Sequence, residues 1–214
     1  MTTILLTGFE PFGGASANAS WDAVRHVAHH WDAEREGARL VPAELPCTFA
    51  AVGPALADLV ARHQPDLLVA TGVATGRRRV SLERVGLNLV DARIPDNEGR
   101  QPIDEPVDPD GPPARFTSLP VKAALVAARD AGLPVELSTS AGTFVCNAAL
   151  YLGVGLAEAS GGRMRAGFVH VPATPADGPG PSLPVDATAR CLTVILRACV
   201  AVEHDLAVPG GTLA

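Results

Sequence analysis

The feature that most constrains this chain is the alternation of short apolar runs with stretches of helical period. The runs Thr3–Thr7, Arg39–Leu45, Asp66–Thr71, Val135–Ser138 and Arg165–Val171 are four to seven residues long. They are too short for helices and too continuously apolar for strands with one wet face. Val80–Val90 alternates well enough to be a strand or a hairpin. Helical patterns lie between them. One is capped by Ser20 and runs through Trp21, Val24 and Val27. The others are Pro54–His63, with proline tolerated in the first turn; Val121–Ala131, ended by Gly132; Phe144–Ala159; and Val185–Glu203. Strands apolar on both sides must be covered on both, so the expectation is an α/β fold. A mostly parallel sheet would carry helices on each face, in one domain over 1–214.

Composition removes several classes of function. With 47% hydrophobic and 19% charged residues, the chain is too apolar for a disordered protein and lacks the pattern of a rod. Its net charge of -6 argues against a nucleic-acid surface, and no nucleic-acid partner is expected. No basic region precedes the first apolar run, and Glu10 follows it closely, so no signal peptide is expected. The longest uncharged stretch, Leu137–Ala157, reads as a strand end, a turn and a buried helix rather than a membrane span. A soluble cytoplasmic protein is expected. The four cysteines, Cys47, Cys146, Cys191 and Cys199, form no CxxC pair and have no histidine at zinc-ligand spacing. Neither metal nor disulfide is expected, which leaves the question of a nucleophilic thiol.

Two proline-rich segments interrupt the rhythm: 92–120, with seven prolines, and 172–184, with five. Segments of that length in a compact fold are functional or disordered. Ligands of open α/β sheets bind at the carboxyl ends of strands, and several candidates fall there. The first strand runs into Gly8-Phe9-Glu10-Pro11-Phe12-Gly13-Gly14, either a loop tucked into the core or a pocket wall. Cys146, in Ser140-Ala141-Gly142-Thr143-Phe144-Val145-Cys146-Asn147, falls at a helix N-terminus. Free N–H groups and the helix dipole there favour a thiolate and can hold an oxyanion; the alternative is a small core residue. His170 closes a strand 24 residues later, as general base or as a structural histidine. Glu83 sits inside Val80–Val85, either orienting the imidazole or pairing with Arg84 or the Arg77–Arg79 run, itself read as a solvated turn. The seven acidic residues between Asp91 and Asp110 match no calcium loop and read as a solvated lid or contact surface.

Taken together and in order, TGFEPFGG, SLERVGLN, DARIPDNEG, SAGTFVCN and FVHVP closely resemble the pyroglutamyl peptidase I (pyrrolidone-carboxylate peptidase) family. The resemblance runs from residue 4 to about residue 172. It implies a three-layer α/β/α sandwich of phosphorylase/hydrolase-like type. It also implies a cytosolic cysteine peptidase, usually a homotetramer, that needs no cofactor and removes an N-terminal pyroglutamyl residue from peptides. It makes Cys146 the nucleophile, His170 the base and Glu83 the group orienting it. Arg93 would lie beside the thiol, and Phe9, Phe12, Ile94, Phe144 and Val145 would line the lactam pocket. An apolar slot suits a neutral five-membered lactam, which has no charged amine to pair with a carboxylate.

The chain departs from the family pattern at Val73, where glutamine is common, and at Thr75, Gly86 and Ala15. These bear on substrate affinity more than on chemistry. Val73 motivates a rival reading, an amidohydrolase for another small lactam or amide. A non-catalytic binding module is the third possibility, and the intact Cys146, His170 and Glu83 set argues against it.

Overall fold

The computed structural model describes residues 1–211; residues 212–214 of the expected domain lie outside the described residues. The elements in chain order are β1 (Thr2–Phe9), α1 (Ala19–His30), α2 (Ala33–Glu36), β2 (Ala38–Leu45), α3 (Phe49–His63), β3 (Leu67–Val73), β4 (Val80–Glu83), β5 (Val85–Leu87), β6 (Ala114–Phe116), α4 (Val121–Asp130), β7 (Val135–Ser138), α5 (Val145–Ala159), β8 (Arg165–Val171) and α6 (Val185–Ala201). A six-stranded sheet has the order β2-β1-β3-β8-β4-β7. All neighbours are parallel except β4 and β8, so β4 and β7 run against the rest. Helices α1, α4 and α6 cover one face, and α3 and α5 cover the other. This is the expected three-layer α/β/α sandwich.

Side-chain alternation divides the sheet between two cores. Ile4, Leu6, Leu67, Val69, Val169 and Val171 pack under α1, α4 and α6, while Leu5, Leu68, Ala70, Ala166 and Phe168 pack under α3 and α5. The register pairs Leu68 with Ala166, Ala70 with Phe168 and Gly72 with His170. The row that builds the second core therefore ends, at the carboxyl edge, in a glycine beside a histidine.

Several elements differ from the sequence expectation. Asn18, not Ser20, caps α1 through Ser20 N–H, while the Ser20 hydroxyl accepts from Phe9 N–H and pins the end of β1. Helix α3 begins at Phe49 under a Thr48 cap, which leaves Pro54 inside the helix rather than in its first turn. The segment 80–90 is two short strands in different sheets. The cause is Asn147, fully buried in α5. Its Oδ1 accepts from Leu87 N–H and its Nδ2 donates to the carbonyls of Leu87 and Leu89, pulling β5 off the main sheet.

The proline-rich 92–120 segment contains β6, which pairs with β5, and is tied down along its length. Tyr151 Oη donates to Pro112 O, Asn88 donates to Asp108 O, and buried Asp96 accepts from Phe49, Glu98 and Arg100 N–H groups. Asp96 is thus a loop organiser, not part of a solvated acidic surface.

Asn147→Ala leaves a donor and two acceptors of the backbone unpaired in the interior. Urea unfolding should show a loss of about 3 kcal/mol, whereas an effect of a few tenths would mean that water replaces the side chain.

Candidate active site

Glu83 and His170 meet because β4 inserts beside β8 in antiparallel register. Ser81 faces His170 and Glu83 faces Phe168. Glu83 and His170 therefore leave the same face of the sheet, and His170 Nδ1 donates to Glu83 Oε1 at 2.8 Å. Both side chains are buried, Glu83 at 0% and His170 at 4% exposure. With Nδ1 engaged, Nε2 is the ring nitrogen left for another group. The Phe168 ring lies 4.9 Å from the imidazole, centre to centre, and closes one side of it.

Cys146 arrives from above the same face, in the first turn of α5. A methyl group built on Gly72 would stand 2.7 Å from Cys146 Sγ and 2.9 Å from Phe168 Cζ. Gly72 is the register partner of His170, so the sulfur rests over the strand directly beside the imidazole. The structure records this as adjacency on the sheet, with no hydrogen bond between sulfur and ring. Phe144, which precedes the helix, has no side chain that can cap it. The first N–H groups of α5 thus remain free to stabilise an anion.

Burial decides the charge state of the pair. It pushes the Cys146 thiol well above its ordinary range, and the nearby Cys47 and Glu83 add to the effect. The Arg77 cation and the helix backbone oppose it more weakly. Burial thus opposes the thiolate that the helix N-terminus favours. Burial also lowers the His170 pKa, against the pull of Glu83 in the other direction. Glu83 is held below the usual carboxylate range: burial raises it, but the His170 hydrogen bond and charge, with Arg77 beside them, outweigh that. Burial thus disfavours charge on the thiol and the imidazole, while the ionised form of Glu83 is favoured.

The thiol opens on a cavity of about 270 Å³. Phe9, Phe12 and Phe144 line it, with Cys47, Val73, Thr75 and Ala15 among the other wall residues. Phe144 packs between Phe12 and Phe49, tilted against the first and edge-on to the second, with ring centres 5.3 and 5.1 Å away. Glu10 braces this wall by accepting from Cys47 N–H and Asn97 Nδ2. Three expected pocket residues stand elsewhere. Val145 is fully buried in the core behind the wall, because it follows Phe144 around the helix. Arg93 and Ile94 are exposed on the 92–100 loop and do not line this cavity. Three of the departures from the family pattern, Val73, Thr75 and Ala15, do line it. Gly86 instead packs against the backbone of Tyr151.

The chain matches the family model for pyroglutamyl peptidase over residues 2–202. It is 48% identical to a pyrrolidone-carboxylate peptidase of Streptomyces coelicolor over 217 aligned positions, covering 99% of each chain. A pyrrolidone-carboxylate peptidase of Pectobacterium carotovorum is 44% identical over the full length of both. The chain belongs to the pyroglutamyl peptidase family. Crystal structures agree on the fold. Pyroglutamyl peptidase I of Bacillus amyloliquefaciens superposes with a TM-score of 0.91 at 36% identity, covering 96% of this chain and 100% of that one. A mutant pyrrolidone carboxyl peptidase of Pyrococcus furiosus gives 0.87 at 31% identity, covering 94% and 99%.

Sequence reasoning missed two groups at this site. Gly72 could have been found, since a glycine inside an apolar strand marks a close approach of another group. Arg77 was not separable from the arginine run offered as an alternative partner of Glu83 and read as a solvated turn. Its bonds to Glu83 Oε1 at 2.6 Å and to Ser140 O at 2.9 Å, and its partial burial, set it apart from exposed Arg78 and Arg79.

Two measurements check this geometry. Gly72→Ala should displace the sulfur and lower kcat/KM on the order of a hundredfold while the protein stays folded; a wild-type rate would place the thiol elsewhere. Because the His170 pKa is lowered, its neutral form persists into more acidic solution. The acid limb of the kcat/KM profile should then fall below about pH 6.5, the ordinary imidazole value. A limb above that value would contradict the burial argument.

Proposed function

We propose that Cys146, His170 and Glu83 are the catalytic groups of a cysteine peptidase that releases the N-terminal pyroglutamyl residue of peptides. One observation carries the reading: a buried Glu83–His170 pair lies beside a thiol that opens on a phenylalanine-lined cavity. Since burial disfavours charge on both thiol and imidazole, the first step is attack with proton transfer. Cys146 Sγ adds to the pyroglutamyl carbonyl carbon as its proton passes to His170 Nε2, and Glu83 stabilises the imidazolium that forms. The free N–H groups at the start of α5 face the developing oxyanion. His170 then protonates the leaving amine, the C–N bond breaks and a thioester remains. Water, deprotonated by His170, hydrolyses the thioester and restores the thiol.

Phe9, Phe12 and Phe144 form the acyl pocket, which holds an uncharged ring by apolar contact. The exposed position of Arg93 and Ile94 favours leaving them outside that pocket in the resting enzyme. No helix among the described residues is long and apolar enough to cross a membrane. The family resemblance, taken by itself, supports a cytoplasmic enzyme acting as a homo-oligomer, a tetramer on the family pattern. Sedimentation would test the assembly.

Cys146→Ser should lower release of a fluorescent amine from a pyroglutamyl amide by several orders of magnitude, with the fold unchanged. Persistent turnover would remove the nucleophile assigned here. Val73 on the cavity wall keeps one rival open, an amidohydrolase for another small acyl group. Pyroglutamyl, prolyl and alanyl amides compared side by side decide it, and faster cleavage of the prolyl or alanyl amide would favour the rival.

A further inference from the structure

We propose that Arg77 is a positioning residue of this site, a guanidinium clasp that holds Glu83 against His170 and ties both to the loop carrying Cys146. The proposal rests on the catalytic reading of those three residues. Arg77 lies in the turn between β3 and β4, six residues before Glu83. Its Nη1 donates to Glu83 Oε1 at 2.6 Å, the same oxygen that accepts from His170 Nδ1. Its Nη2 donates to the carbonyl of Ser140 at 2.9 Å, six residues before the thiol. One planar fork thus spans the acid of the triad and the segment that delivers the nucleophile.

Glu83 needs such a partner. It is wholly buried, and its Oε2 has no hydrogen-bond partner. A carboxylate with one oxygen orphaned in the interior protonates or turns away unless a charge-assisted bond fixes it. Among the described residues, Arg77 and His170 are the only basic side chains paired with it. Arg78 and Arg79 point into solvent. The fork geometry matters as much as the charge, because a lysine ammonium is a single donor centre and does not bridge two acceptors held apart.

The charged and titratable groups around His170 are Glu83 on β4, Arg77 in the turn before it, and Cys146 on α5. The Arg77 cation disfavours the imidazolium, so it helps to keep the base neutral in the resting enzyme. Its removal therefore raises the His170 pKa, and a merely structural residue would leave that value where it is.

The experiment measures pyroglutamyl amide turnover by the full chain carrying Arg77→Met, with Arg78→Met as the control. The expected result is a fall in kcat on the order of a hundredfold, with KM little changed and the acid limb of kcat/KM moved to higher pH. Guanidinium ion added to Arg77→Ala should restore part of the rate. Wild-type kcat and an unmoved limb in Arg77→Met would overturn the proposal. If the methionine variant does not fold, Arg77→Lys decides. Retained charge without the fork should lower kcat and leave the limb in place, and a wild-type kcat there overturns the clasp. Cys146→Ser is run alongside. Turnover in that variant removes the active site itself, whereas an inactive Cys146→Ser with a normal Arg77→Met removes the clasp alone.

Discussion

The site depends on a carboxylate that must stay charged where water does not reach. Glu83 is wholly buried on β4, and its ionised form survives because His170 and Arg77 both donate to it. Everything else at the site follows from that pair. The hydrogen bond to Nδ1 fixes the imidazole tautomer and leaves Nε2 free for another group. The antiparallel insertion of β4 makes the contact possible, since it sets Glu83 opposite Phe168 and one alternation away from His170.

The proposed nucleophile, Cys146, is accommodated by subtraction. Gly72 has no side chain, and the sulfur occupies the volume that a methyl group would take. The same burial raises the thiol's pKa, against the weaker pull of the Arg77 cation and the helix backbone.

Much of this was legible in the chain. The apolar strand runs and their spacing announced a sheet covered on both faces, because a strand without a polar side has nowhere else to go. Cys146, His170 and Glu83 each stood out locally as a polar or reactive residue at a strand end or helix start. Their meeting was legible only through the resemblance of five ordered motifs. The boundaries were less readable where a cap decided them: Thr48 starts α3 a turn before Pro54, and Asn18 takes the role expected of Ser20. The fate of 92–120 was not readable at all, because its anchors, Asp96, Asn88 and Tyr151, bind backbone atoms distant in sequence.

By itself the sequence determined the class of fold and the kind of chemistry, since hydrophobic period and residue type are local properties written along the chain. Only the tertiary structure decided which arginine touches Glu83, which pocket residues reach the cavity and which way burial shifts the thiol. Those outcomes turn on distance and dielectric. Arg77 differs from its two neighbours only in what it touches. Val145 differs from Phe144 only by its place around the helix. The protonation of Cys146 follows from how much water the packed sheet and helix leave around it, a quantity that exists only once they have come together.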